Sequence, residues 1–278
     1  MNVWQADFYR RPLQDETGQI LWELLICDTT GNVIYQSFCP QPDVTRDWLV
    51  SQVQVSVAKT GLPDAIQVFR PQSFNLFQEV GQQLGIKVEA TRRTPALKQR
   101  LQERTLEYPQ HENYTGEAYN PLSLDKPPPL PLPENLWGDR WRFASIPAGD
   151  IEEGFAQRPI PILQMPNELL PLQLGLASTV AVPGVVIDGG RQSMPLARWL
   201  QEVQPVALNY IPGAPDGLIL EAGLVERWVM ATFEDKEVAA AARLYEQRKQ
   251  TSQGLHFLLV QPDDSGMTYT GFWLLMAD

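Results

Sequence analysis

Between residues 65 and 107 the apolar period of the chain switches three times, and this alternation constrains the fold more than any other feature. Residues 65–69 read as a short strand, and 73–84 place Phe74, Phe77, Val80 and Leu84 on one helical stripe. In 86–91, Ile86, Val88 and Ala90 alternate with Lys87, Glu89 and Thr91 at period two. A second helix then starts at Thr94, as its cap, with Pro95 in the first position, where a missing N–H costs nothing. Strands separated by an amphipathic helix lie side by side as parallel neighbours, because only a crossover connection can join them. A partly parallel sheet is therefore required.

Upstream, 2–11, 19–28 and 32–39 read as three strands joined at Asp15-Glu16-Thr17-Gly18 and Thr29-Thr30-Gly31, which makes an antiparallel meander. Residues 43–60 read as a helix with Leu49, Val53 and Val57 about a turn apart, ended by Gly61-Leu62-Pro63. The alternation of Val53, Val55 and Val57 keeps a strand reading open there. The resulting order, βββαβαβα over 1–107, is that of the ribonuclease H-like fold. A nuclease on that fold needs carboxylates converging on paired divalent ions, from the middle of the first strand, the first helix and the end of the fourth strand. Asp7 suits the first position, but the fourth strand ends Val68-Phe69-Arg70-Pro71, with a cation where a ligand is wanted. Metal-dependent nuclease activity is therefore the minor alternative. Glu23 lies between Leu21 and Leu25 on its own face of an apolar strand, so it must be partnered or protonated; Arg10, Arg11 and Arg70 are the candidate partners.

With 278 residues and 44% apolar content, the chain exceeds one ordinary core, and two domains are expected. We place an N-terminal α/β domain at 1–107, a proline-rich linker at 108–136 and an acidic C-terminal α/β domain at 137–278. The run Pro127-Pro128-Pro129-Leu130-Pro131 suits a semi-rigid spacer, or a docking motif for a proline-reading module. In the last domain, strands are expected at 140–147, 184–188, 206–211, 218–222, 227–233, 255–260 and 271–275, with helices at 194–203 and 236–252 and an extended, proline-punctuated tract at 159–174. Gly189-Gly190-Arg191 follows a strand and precedes a helix, but matches neither GxGxxG nor GxxxxGK[ST], so a tight turn is favoured over a phosphate cradle. The order βββ-helix-Gly-strand occurs at 2–69 and again at 206–260, which leaves a diverged βββαβ repeat open. The whole chain is α/β (α+β), with two mixed-sheet domains.

Cys27 and Cys39 fall on the two arms of one hairpin, about 20 Å apart at about 3.3 Å per residue, so no disulfide is expected. No metal-ligand spacing occurs and the two histidines are distant in sequence, so neither a metal nor a cofactor is expected. No run of eighteen apolar residues exists, which argues against membrane insertion, and the opening MNVWQADFYRR has neither a secretion core nor transit-peptide character. A cytoplasmic protein is expected, or a mature organellar chain.

Net charge is −11 but uneven: residues 1–107 carry 11 Lys/Arg against 12 Asp/Glu, and residues 108–278 carry 11 against 21. That excludes a general polyanion-coating protein and confines any nucleic-acid contact to a local patch. Lys87, Arg92, Arg93, Lys98, Arg100 and Arg104 crowd into 86–104 against only Glu89 and Glu103. Cations beside a sheet that carries aromatics are what single-stranded RNA needs, for its phosphates and its splayed bases. The competing reading is a solvated helix face with ordinary i, i+4 ion pairs. Trp273, Leu274 and Leu275 divide similarly, between an exposed stacking tripeptide and a buried strand, the latter favoured.

The segments Trp4-Gln5-Ala6-Asp7-Phe8-Tyr9-Arg10-Arg11-Pro12, Leu21-Trp22-Glu23-Leu24-Leu25-Ile26-Cys27-Asp28, Phe69-Arg70-Pro71-Gln72, Glu89-Ala90-Thr91-Arg92-Arg93 and Trp273-Leu274-Leu275 resemble the TAB/ATAB family across essentially the whole chain. That family comprises chloroplast translation activators for a photosystem I reaction-centre subunit, with cyanobacterial relatives. The resemblance implies a non-catalytic, A/U-rich mRNA-binding protein of photosystem biogenesis, with photosystem or translation proteins as further partners. It also implies a cyanobacterial cytosolic member, or a stromal one if the chain is a mature plastid form. A protein-binding scaffold acting through the acidic C-terminal domain is the alternative.

Overall fold

The computed structural model describes residues 2–277, which form two compact units that divide between Asp125 and Lys126. In the first, β1 (Val3–Gln14), β2 (Ile20–Asp28) and β3 (Val33–Pro40) are followed by α1 (Arg46–Thr60), β4 (Ala65–Val68), α2 (Pro71–Leu84), β5 (Lys87–Ala90) and α3 (Pro95–Glu107). The sheet order is β3-β2-β1-β4-β5; β1 to β3 are antiparallel, and β4 and β5 run parallel to β1. This is the βββαβαβα, ribonuclease H-like arrangement expected from the sequence.

Local chemistry explains the elements. Both hairpins turn on an aspartate: Asp15 Oδ1 accepts from Thr17 and Gln19 N–H, and Asp28 Oδ1 from Thr30 and Asn32 N–H. Gly18 and Gly31 take the left-handed φ values of 82° and 91° that close the turns. Helix wins at 46–60 because Thr45 Oγ1 caps Trp48 N–H, and because Leu49, Val50 and Val53 reach the core while Val55 remains exposed.

The sheet has two apolar faces. Trp4, Ala6, Phe8, Leu24 and Ile26 pack with α1 and α2, whereas Leu25 and Cys27 pack with Ala96, Leu97 and Leu101 of α3. The cap of α3 differs from expectation, since the Thr94 hydroxyl makes no capping bond and is buried without a partner. Gln5, reaching across from β1, accepts the Leu97 N–H at 3.0 Å through Oε1. A cap from a neighbouring strand serves a free helical N–H as well as a local one.

The second unit has β6 (Leu130–Pro131), β7 (Arg140–Pro147), α4 (Ala148–Phe155), β8 (Ile162–Gln164), β9 (Ala181–Asp188) and α5 (Ser193–Val203). The meander β10 (Pro205–Ile211), β11 (Asp216–Ala222) and β12 (Glu226–Phe233) follows, then α6 (Lys236–Thr251), β13 (Leu255–Gln261) and β14 (Gly271–Met276). One sheet is ordered β7-β9-β13-β14-β8 and the other β10-β11-β12-β6. One core holds Trp273, Leu275, Leu258 and Val185 with residues of α5, α6, β10 and β11; the opposite face of the first sheet packs Phe272, Leu274 and Phe257 with Ile151 and Phe155 of α4. The βββαβ order recurs along the chain, but the pairing does not. β4 joins β1 of its meander, whereas β13 joins β9 and β14 in the other sheet.

The segment expected as a linker, 108–136, packs at both ends. Tyr108 is buried, Leu13 bridges to Tyr114, and Thr115 N–H bonds Pro12 O, all within the first unit. Leu130 and Pro131 pair with β12, and Leu132 and Leu136 enter the core of the second unit. A polar, proline-rich composition signals missing periodicity, not missing contacts.

Candidate functional site

The alternation of β1 sends Asp7, Tyr9 and Arg11 to one face, and the β1–β2 register sets Glu23 opposite Tyr9. β4 delivers Arg70 just past its end. Arg70 Nε donates to Asp7 Oδ1 at 3.0 Å, and Arg11 Nη2 to Asp7 Oδ2 at 2.9 Å. Glu23 Oε2 accepts from Arg11 Nε and from the Tyr108 hydroxyl, each at 2.7 Å, and its Oε1 accepts from Gln36 Nε2 at 2.8 Å and Arg104 Nη2 at 2.7 Å. Glu23 is thus partnered, by Arg11 among the three arginines anticipated.

The remaining guanidinium donors are satisfied by the segment after α3. Arg11 Nη1 bonds the Tyr119 hydroxyl at 2.8 Å, and the Arg70 Nη groups bond Pro121 O and Ser123 O at 2.6 and 3.1 Å. Asp7, Arg11, Glu23 and Arg70 are all at most 2% exposed. Burial alone would push the Asp7 carboxyl up, but Arg70 and Arg11 override it and hold Asp7 below the usual carboxylate range. Burial likewise opposes the charge on Arg11, and Asp7 and Glu23 reverse that effect, raising it well above its ordinary value. Buried ions are tolerable only when every lone pair and proton is matched, and in this network nearly all are.

The same geometry tests the metal site of a ribonuclease H-like nuclease. Both Asp7 oxygens are taken by guanidinium groups, a cation stands at the end of β4, and the one carboxylate of α1, Asp47, is exposed and paired with Arg46. Among the described residues no cluster of three or more His, Cys, Asp or Glu side chains could hold a metal ion. The residues present do not fit paired divalent cations.

The cations singled out in 86–104 are divided by the structure. Lys87 and Arg93 are exposed, Lys98 and Arg100 are intermediate, and Arg92 is buried. Lys87 pairs with Glu89 at 2.7 Å, Arg100 with Gly31 O and Glu103 at 2.6 Å each, and Arg104 joins Glu23 to Glu107. Arg92, Arg93 and Lys98 are also partnered. Trp273, Leu274 and Leu275 are at most 1% exposed; Trp273 faces one core and Leu274 the other. None of the three can stack on a base while β14 is in place.

Tyr108 and Tyr119 are members of this network that sequence reasoning missed, because they lie in an aperiodic segment that carries no signal. At Gly189-Gly190-Arg191 the two glycine N–H groups bond Gln261 O and Pro262 O, so they serve the tight turn.

Comparison with known proteins gives two family matches: "RNA-binding protein Tab2/Atab2 N terminal" over residues 3–104 and "RNA-binding protein Tab2/Atab2, C-terminal domain" over residues 119–276. The chain is 30% identical over 280 residues to "Protein TAB2 homolog, chloroplastic" of Arabidopsis thaliana, covering 98% of this chain and 74% of that one. It is 32% identical over 283 residues to the protein of the same name in Zea mays, covering 98% and 71%. Among solved structures, the catalytic domain of Mos1 mariner transposase is 13% identical over 42% of this chain and 63% of that one, with a TM-score of 0.29, too low to carry an argument.

Proposed function

Because the chain belongs to the Tab2/Atab2 family of RNA-binding proteins through both of its domains, we propose that it binds single-stranded RNA and performs no catalysis on it. The target that fits the family resemblance is A/U-rich mRNA, and the role is in translation or assembly of photosystem subunits. That work belongs in the cytosol of a cyanobacterium or the stroma of a chloroplast; the plant relatives are named chloroplastic. Among the described residues no helix is long and apolar enough to cross a membrane.

The observation that carries the non-catalytic reading is Arg70. Its guanidinium lies against Asp7, where a nuclease would bring a divalent ion, and a cation in that place repels one. Phosphate contact falls to the exposed and half-exposed cations, Lys87, Arg93, Lys98 and Arg100, while Arg92 and Arg104 hold the fold. Trp273, Leu274 and Leu275 act through the sheet that they complete. A second reading, docking of a partner protein, is favoured by the charge of residues 126–278, with 11 Lys/Arg against 18 Asp/Glu.

An electrophoretic titration of A/U-rich RNA, with and without Mg²⁺ and over a range of salt, tests the proposal. Binding that weakens with salt and leaves the RNA intact is expected. Each phosphate contact removed, as in Arg93→Ala or Lys98→Ala, should lower the salt slope by about 0.7. Mg²⁺-dependent cleavage would overturn the non-catalytic reading, and an unchanged slope in the Arg93→Ala/Lys98→Ala protein would clear this patch of a role.

A further inference from the structure

Beside the buried ion network, on the surface of the first unit, lies a cavity of about 410 Å³ whose walls include Tyr9, Arg10, Glu117, Tyr119, Asn120 and Asp125. Its size is within the range of small-ligand sites, about 300–1,000 Å³. The aromatic walls are held in place. The Tyr9 ring stacks on the Arg70 guanidinium at 4.0 Å and meets Trp22 edge-on. The Tyr119 hydroxyl accepts from Arg11 and donates to Arg10 O at 3.2 Å. Asn120 Oδ1 accepts the Leu122 N–H at 3.0 Å, which leaves its amide NH₂ as a donor.

The polar groups at the cavity differ from those beneath it. In the interior nearly every charge is matched. Arg10, Glu117 and Asp125 are exposed, and among the described residues their charged groups make no ion pair. Arg11 also lines the cavity, but its charge is matched by Asp7 and Glu23, and among the exposed groups two carboxylates to one guanidinium disfavour a phosphate inside. Acceptors beside flat aromatic walls suit a planar ring that carries N–H donors.

We propose that the cavity receives one unstacked nucleobase bearing an exocyclic amino group, as adenine or cytosine does. The amino N–H groups donate to Glu117 or Asp125, and Arg10 meets the adjoining phosphate outside. Uracil presents carbonyl oxygens where those bases present the amino group, so it sets acceptor against acceptor. This inference rests on the RNA-binding reading and adds a base preference to it.

The test is fluorescence anisotropy with labelled oligo(A), oligo(C) and oligo(U) of equal length, on the full chain and on its Glu117→Gln/Asp125→Asn form. The unaltered protein should prefer oligo(A) or oligo(C) to oligo(U) by about tenfold, the equivalent of about 1.4 kcal/mol. The double variant should bind all three alike, without weaker binding of oligo(U) and without a lower melting temperature, since both carboxylates are exposed and unpaired. RNA binding with no base preference, or a preference that survives the double substitution, overturns the inference and leaves the function proposed above intact. Failure to bind any of the three overturns both. Loss of the oligo(A) preference on adding spermidine, with oligo(U) binding untouched, would assign the cavity to amines and likewise overturn the inference.

Discussion

Arg11 makes three hydrogen bonds to three different residues, and its neighbours depend on it in turn. Glu23 stands at the centre of the same network, so Glu23→Gln leaves Arg11 and Arg104 short of a counter-charge in the interior. Breaking a buried pair from one side costs about 3–5 kcal/mol, and a urea titration should show a large drop in midpoint. Two buried groups also set how the molecule meets acid. His256 Nε2 accepts the Leu208 N–H at 2.9 Å, so its proton is on Nδ1, which donates to Gly254 O at 2.8 Å. Burial first, then the nearby Lys249 cation, pulls its pKa down to about 3. The unfolded imidazole binds a proton from about pH 6.5, so stability is complete above that and falls with acidification toward pH 3, by up to about 1.4 kcal/mol per unit. Asp7, also depressed, keeps its contribution until pH drops below the ordinary aspartate value of about 3.9. Hydrogen exchange at about pH 5 should therefore show β13 and its neighbours loosened relative to neutral pH while β1 keeps its protection. Equal loosening of both would contradict the assignment.

Helix α3 shows how an element depends on residues far from it in sequence. Its Leu97 N–H is capped by Gln5, so Gln5→Ala should cost about 0.5–2 kcal/mol, the range for loss of an N-cap. Thr94→Ala, which removes a hydroxyl that caps nothing, should cost less, and thermal melting of the pair ranks them. β14 presents the opposite case, in which adjacent residues serve two cores. Trp273 lies opposite Leu258 of β13 and is fully buried, so Trp273→Ala should cost about 3–5 kcal/mol through lost burial and a cavity. RNA affinity measured well below the melting temperature should change little. A protein that melts normally but binds weakly would show that the indole is a contact residue.

At the scale of the whole chain, the useful boundary follows the packing of 108–125. Tyr108, Tyr119, Pro121 and Ser123 supply acceptors and donors that Glu23, Arg11 and Arg70 otherwise lack. A fragment of residues 1–125 should fold, whereas 1–107 should be markedly less stable, because its arginines lose partners in a low-dielectric interior. Amide spectra of the two fragments, with dispersed signals for the first and collapsed ones for the second, would check this.

Periodicity determined a good deal by itself. Alternation and helical stripes placed β1 to β5 and α1 to α3, and the order of elements required a partly parallel sheet. The glycine-closed turns at Gly18 and Gly31 and the burial of Trp273 were legible for the same reason, since backbone geometry and apolar spacing are local. Helix α4 was not, being eight residues at the end of a strand and too short for its period to stand out. The partners of charge were legible only in part: Glu23 was expected to meet one of Arg10, Arg11 and Arg70 and meets Arg11, but its pairing with Arg104 had no signal. Six cations in 86–104 looked like one patch, yet a guanidinium at the end of a long, flexible stem goes wherever the fold brings a carboxylate within reach. Arg104 found Glu23, 81 positions away, and so became part of the interior, while Arg93 remained at the surface. Pairing across such separations exists only once the sheet has formed, because the free energy of an ion pair depends on distance and burial, which the tertiary structure alone supplies.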